Sequence, residues 1–334
     1  MTGRLPKVLG QGLATLCLFG ATAWGILVIH YLGPGSTAMR FTLAVALAVL
    51  GLAALACIWF WRARGLVWLA YAAALAWVLM VWHGAEPRND RDWQPEVAVL
   101  PQATFDGDWV TVHNVRNFDY RTETDFTPGY YDRTFELSRL DRVDLVAAYW
   151  MGPAVAHLFM TFGFGADHLA ISIEARKDKQ RVYATLPGFF RQYELVYVAA
   201  DERDAIRVRT NYRTDPSEDV YLYRINAPLV NGRRVLLEYL RDMNALREHP
   251  RFYNTLATNC TTTILTHAAV NPGHVPYSWK ILLSGYAPEY LYELGRLNQS
   301  QPFMALQKRS RINDAAKMAD QAPDFSERIR ADLP

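Results

Sequence analysis

The chain has 334 residues, 51% hydrophobic and 20% charged, which excludes a wholly disordered protein. Residues 1–84 carry five basic side chains (Arg4, Lys7, Arg40, Arg62, Arg64) and no acid, a net +5, whereas the remainder holds 30 basic and 33 acidic residues, a net −3. Nucleic-acid binding needs a clustered basic surface that displaces counterions, so that partner class is not expected.

Three apolar runs open the chain, at about Val8 to Leu32, Phe41 to Trp61 and Leu66 to Trp82. Each is near the roughly 20 residues that cross a hydrocarbon core as a helix, and the first is too long for a simple cleaved signal peptide. Tryptophans 59, 61, 68, 77 and 82 gather toward the run ends, where interfacial anchors belong. Positive charge on short loops marks the cytoplasmic side. Arg4, Lys7, Arg62 and Arg64 outweigh Arg40, which predicts a cytoplasmic amino terminus and a periplasmic domain after Trp82 in a bacterial inner membrane. Cys17 and Cys57 lie within the runs and read as small apolar residues.

The expected organisation is a three-helix membrane part over 1–84, a polar linker over 85–108, a periplasmic domain over 109–295 and a polar tail over 296–334. Strand-like alternation occurs at Trp109–Val115, Thr134–Leu137, Val143–Tyr149, His157–Phe164, Leu169–Ala175, Val182–Thr185, Glu194–Ala199 and Val220–Ile225. Helical spacing follows over Gly232–Arg247, and a second helix is expected from Asn259 to about Val270. Strands followed by helices give an α+β domain. The tail after Pro302, with its basic Lys308-Arg309-Ser310-Arg311, reads as a loose helix or as disordered.

Cys260 is the one cysteine beyond the membrane runs, and cysteines of an oxidising compartment usually pair. It follows Asn259, a good N-cap, so its thiol falls in a first helical turn, under the positive end of the helix dipole and beside free N–H groups. That setting suits a nucleophile, and equally a small buried residue. A thiolate needs a base and a group that orients it. If the turn after HLFMTFGF is centred between Gly165 and Ala166, antiparallel register sets His157 opposite Glu174, close enough for imidazole and carboxylate to meet. Core placement of His157 and a surface pairing of Glu174 with Arg176 or Lys177 are the plainer readings.

His168 is the rival base, near the turn. His267 lies two helical turns from the thiol, and Cys260, His267 and His274 lack the paired spacing of a zinc site. The candidate catalytic set is Cys260, His157, Glu174 and Asn259, with no metal and no cofactor. Gly163-Phe164-Gly165 precedes no helix and says nothing of nucleotides.

The order of a histidine strand, a return strand with a polar residue and Asn-Cys at a helix start resembles circularly permuted NlpC-type, papain-like thiol enzymes, including the lecithin:retinol acyltransferase group. More closely, residues 110–286 resemble the periplasmic domain of Lnb-type lipoprotein N-acyltransferases. The matching segments are HNVRNFDYRTETDF, AHLFMTFGF, SIEARK, FFRQYELVYVAADERDAIRVRTNYR, EDVYLYRI and FYNTLATNCTT. One departure is that membrane helices here precede the domain, whereas in Lnb itself the domain comes first.

The resemblance implies a thiol acyltransferase with Cys260 as nucleophile, His157 as base and Glu174 as third member. It would act on membrane lipid or lipoprotein, with an amine such as a lipoprotein amino terminus as acceptor. A cysteine peptidase or amidase of the same mechanism and a non-catalytic membrane scaffold are the alternatives. The block from Asp201 to Arg213 reads as a surface ion-pair network or an anionic-headgroup site. The aromatic-rich stretch from Tyr277 to Tyr292 reads as core or as a membrane-facing acyl groove.

Overall fold

The computed structural model describes residues 4–60, 65–273 and 275–334. Trp61, Arg62, Arg64 and His274 lie outside the described residues. The chain divides into two units, one of residues 1–87 with 184–192, the other of residues 88–183 with 193–334.

The first unit is built on three helices, α1 (Arg4–Leu32), α2 (Thr37–Trp59) and α3 (Gly65–Gly84). The apolar stretches Val8–Leu32, Thr37–Trp59 and Gly65–Gly84 are each long and apolar enough to cross a membrane, with mean hydropathies of 2.0, 2.6 and 1.9. Ser36 caps α2 through the Met39 N–H. Apolar faces give no hydrophobic drive toward one another in lipid, so small residues and polar bonds set the packing. Gly25 lies against Leu47 and Gly51 against Thr22. The Thr22 and Tyr71 hydroxyls meet at 2.8 Å, and Gln11 donates to the Ile58 carbonyl at 2.8 Å.

The second unit is mixed α+β. Its strands are β1 (Gln102–Asp106), β2 (Trp109–Arg116), β3 (Asp119–Tyr120), β4 (Phe126–Thr127), β5 (Tyr130–Glu136), β6 (Arg142–Tyr149), β7 (Ala156–Phe164), β8 (Asp167–Arg176), β9 (Glu194–Ala200) and β10 (Asp219–Arg224). Among the described residues, eight of them form one sheet in the order β1-β2-β9-β8-β7-β6-β10, with β5 also on β2. The helices are α4 (Glu202–Ala205), α5 (Leu229–Glu248), α6 (Cys260–Ala268), α7 (Trp279–Leu282), α8 (Ala287–Glu293), α9 (Phe303–Arg309), α10 (Asn313–Met318) and α11 (Phe325–Arg328).

Both sheet faces are covered. Leu158, Met160 and Phe162 of β7 and Leu169, Ile171 and Ile173 of β8 pack with Leu236, Tyr239 and Leu240 of α5. On the other face Phe159 and Ala170 pack with Ile206, Ile312, Ala316, Phe325 and Ile329. The period-2 alternation of β7 and β8 thus sorts His157, Ser172 and Glu174 to the second face.

Three expectations are corrected. Val182–Thr185 is a loop, because both edges of the neighbouring β8 are taken by β7 and β9 and Val182 points to solvent. The 85–108 stretch is largely structured, since Trp93 is buried under the Arg176 guanidinium and β1 pairs β2. The tail after Pro302 is folded: Leu306, Ile312, Ala316, Phe325 and Ile329 are buried, and its charges face away from them or are paired.

Arg330 of that tail donates from Nη1 to Glu202 Oε2 at 2.8 Å and from Nε to Asp144 Oδ2 at 3.0 Å. Both carboxylates are wholly buried. The block from Asp201 to Arg213 is likewise internal and not a surface network. Asp204 is fully buried, taking Arg116 Nε at 3.0 Å, the Phe118 N–H at 2.8 Å and Tyr120 Oη at 3.2 Å. Sequence alternation of sign could not reveal that Glu202 and Asp204 are satisfied by partners 80 or more residues away.

Candidate active site

Asn259 ends an extended segment, and its Oδ1 accepts the Thr262 N–H at 2.9 Å while Thr262 Oγ1 accepts the Asn259 N–H at 3.0 Å. This capping box fixes the start of α6. The Asn259 side-chain amide is spent on the Thr255 carbonyl, 2.8 Å away, so this residue positions the helix and does not reach the thiol. Thr262 and Thr263 N–H groups go to Asn259, leaving those of Cys260 and Thr261 as the donors that the helix itself does not satisfy.

The β7–β8 hairpin turns at Gly165-Ala166, with Phe164 opposite Asp167 and Gly165 at φ +71°. A primed two-residue turn needs that positive φ, which glycine adopts without strain. The ladder runs from there to Met160 opposite Ile171 and stops, although both strands continue. Cys260 is seated at this opening, close enough to His157 and Leu158 for both to act on its thiol, and its sulfur is 3.8 Å from the Thr261 hydroxyl.

Continued register would set His157 directly opposite Glu174. The strands part there, and a serine fills the gap: His157 Nε2 is 2.7 Å from Ser172 Oγ and 3.3 Å from Glu174 Oε1, while Ser172 Oγ donates to Glu174 Oε1 at 2.7 Å. With Nε2 engaged on that side, Nδ1 is the ring nitrogen left for the thiol. Arg209, only 3% exposed, donates from Nη2 to the same Glu174 oxygen at 2.8 Å. Its guanidinium is held by the Ala205 carbonyl at 2.7 Å and lies 4.9 Å over the Phe159 ring.

The electrostatics run one way through this chain of contacts. Burial opposes charge on His157, but Glu174 and the sulfur outweigh it and raise its pKa to about 9. Burial likewise pushes the thiol up, and the neighbouring imidazolium, the Leu158 N–H and the Thr261 hydroxyl bring it below its ordinary value. Against its own burial, Glu174 is held well below the usual carboxylate range by His157, Arg209 and Ser172. Both shifts favour thiolate and imidazolium over the neutral pair.

The other histidines are elsewhere. His168 pairs Gly163 at the turn end, about 20 Å along the strand from His157, and its Nδ1 lies 3.2 Å from the Ala166 carbonyl. His267 is buried against Tyr197 Oη at 2.5 Å, and His113 faces Asp132 at 2.7 Å. Arg176 and Lys177, the sequence alternatives for pairing Glu174, go instead to the Val97 and Ala98 carbonyls and to Glu96.

Sequence reasoning missed Ser172, Arg209 and two tyrosines, Tyr183 and Tyr253, that stand near Cys260. Ser172 had a usable signal, because it lies two residues from Glu174 on the same strand face. Arg209 had none, being one of many charges in its block.

No curated protein and no solved structure matches the chain. The family model of the Lnb N-terminal periplasmic domain matches residues 126–285. That match spans His157, Ser172, Glu174, Arg209 and Cys260, and over these residues the chain is similar to the Lnb N-terminal periplasmic domain.

Proposed function

We propose that the protein is a membrane-anchored thiol acyltransferase whose domain faces the periplasm and has the permuted papain-like arrangement. The observation that carries this reading is the Cys260 thiol at a helix start, beside a partly buried His157 that Glu174 holds charged. The Cys260 sulfur attacks the carbonyl carbon of a lipid ester, forming a C–S bond. The oxyanion faces the Cys260 and Thr261 N–H groups at the positive end of α6. Collapse breaks the C–O bond, and the leaving alkoxide takes the proton from His157. An amine then attacks the thioester: a C–N bond forms, the C–S bond breaks, the amine proton passes to His157, and thiolate and imidazolium return. Ester and amine become alcohol and amide.

Water in place of the amine would make the protein a hydrolase through the same acyl-enzyme. Membrane tethering favours a lipid donor, since it confines enzyme and donor to one surface. Intact-mass measurement of the detergent-solubilised protein with bacterial phospholipid should show a gain of one fatty acyl group on the native chain and none on Cys260→Ser. Absence of the adduct, with Cys260 still alkylated by iodoacetamide, would refute the lipid donor and favour a peptidase.

The acylation rate should be bell-shaped in pH. Activity appears as the thiol ionises below its ordinary pKa and falls as the imidazolium deprotonates around 9. Because Glu174 is the strongest influence raising that upper limit, Glu174→Gln should move the alkaline limb down by a unit or more. An unmoved limb in the variant would show that His157 does not set it.

A further inference from the structure

An apolar cavity of about 330 Å³ lies between the sheet and helices α5 and α6. Leu145 of β6, Met160 of β7, Val235 of α5 and Ile264 and Leu265 of α6 form much of its wall. Leu158 and Thr261 also line it, and these are the chain neighbours of His157 and Cys260. The Thr261 hydroxyl is 3.8 Å from the Cys260 sulfur, so the cavity starts beside the thiol, and it has the size of a small-molecule pocket. Its course follows β6 and β7 away from the thiol: Ala147 faces Leu158, Leu145 faces Met160 and Val143 faces Phe162. The apolar stretch is about 13 Å along the strand.

The far end changes character. Arg142, Arg224, Asn231 and Asn271 enter the lining there. Arg142 and Arg224 are matched by Asp141 and Asp144, at 2.7 and 2.5 Å, so they call for no anionic ligand. The apolar walls favour a hydrocarbon over water along the stretch leading to this end.

We infer that this cavity receives the hydrocarbon tail of the acyl group carried by Cys260, and that its polar far end limits the tail it accepts. The inference rests on the acyl-enzyme reading above and adds where the chain goes. A tail enters from the thioester along Leu158 and Met160, gaining about fourfold in specificity per buried methylene. The gain stops when the terminal methyl reaches the Arg142 and Asn231 end, because further methylenes would press against paired charge.

The test is acylation of the nanodisc-embedded protein by p-nitrophenyl butyrate, hexanoate, octanoate and palmitate, read as release of nitrophenol with Cys260→Ser as blank. From butyrate to octanoate, kcat/KM should climb by on the order of 10²-fold, with no further rise to palmitate. Ile264→Trp, which fills the middle of the cavity, should reduce the octanoate-to-butyrate ratio by at least tenfold. Should butyrate and octanoate react equally with the native protein, the cavity is not the acyl site, although the acyl-enzyme reading stands. If no ester acylates Cys260 while iodoacetamide still alkylates it, the reading beneath fails and this inference with it. The native chain-length series needs no variant, so a misfolded Ile264→Trp would not shield the inference.

Discussion

Replacing His157 by glutamine is expected to slow acylation of Cys260 by on the order of 10³- to 10⁴-fold, because one change removes two functions. The imidazolium lowers the thiol pKa, and in the proposed reaction it carries the proton the leaving group needs. Glutamine keeps a hydrogen-bonding side chain near Ser172 but supplies neither charge nor a transferable proton. In the variant the Cys260 thiol should titrate higher, which a pH series of iodoacetamide alkylation measures independently of any substrate. Loss of acylation with an unchanged alkylation profile would mean that the histidine and the thiol do not form an ion pair. Ser172→Ala should produce a smaller loss, since Glu174 Oε1 is already 3.3 Å from Nε2 and closes part of the gap.

The largest effect on stability is expected at Arg330, which joins two buried carboxylates. Arg330→Met leaves Glu202 and half of Asp144 without their cation, a change that costs about 3–5 kcal/mol. For a unit of this size that is a fall in Tm on the order of 10 °C. The pH dependence identifies the cause. Burial raises the Glu202 pKa, but Arg330 more than reverses this and brings it to about 2, below an ordinary value of 4.5. A depressed carboxylate pKa contributes stability above pH 4.5 that is lost as pH falls through about 2. The gap between native and variant should thus be full at pH 7 and shrink below pH 4.5, as followed by thermal unfolding in detergent. A gap that stays constant in acid would assign the effect to lost packing of the arginine stem.

The sequence carried the candidate site further than it carried the domain edges. His157 and Glu174 could be placed on one sheet face because a two-residue turn and a period of two leave no freedom between them. The cap at Asn259 was legible for a similar reason, since it is a local pattern over four residues. Ser172 as the bridge was not, because it depends on where the two strands part. The folded tail was missed because Ile312, Ala316, Phe325 and Ile329 are spread among charges in helices too short for periodicity to show. The burial of Glu202, Asp204 and Arg209 was equally hidden, as composition gives the signs of charges and not their partners.

Arg330 stands 128 positions after Glu202 and 186 after Asp144. A ribosome delivers the chain from its amino end, so both acids emerge long before the cation that neutralises them. Until then the sheet can close over them only if they stay hydrated or take up protons. Completion of the domain therefore waits on residues 303–334. A product cut short before Arg330 keeps its thiol and histidine in sequence but presents an unfinished sheet, and such a product is a natural target for quality-control proteolysis.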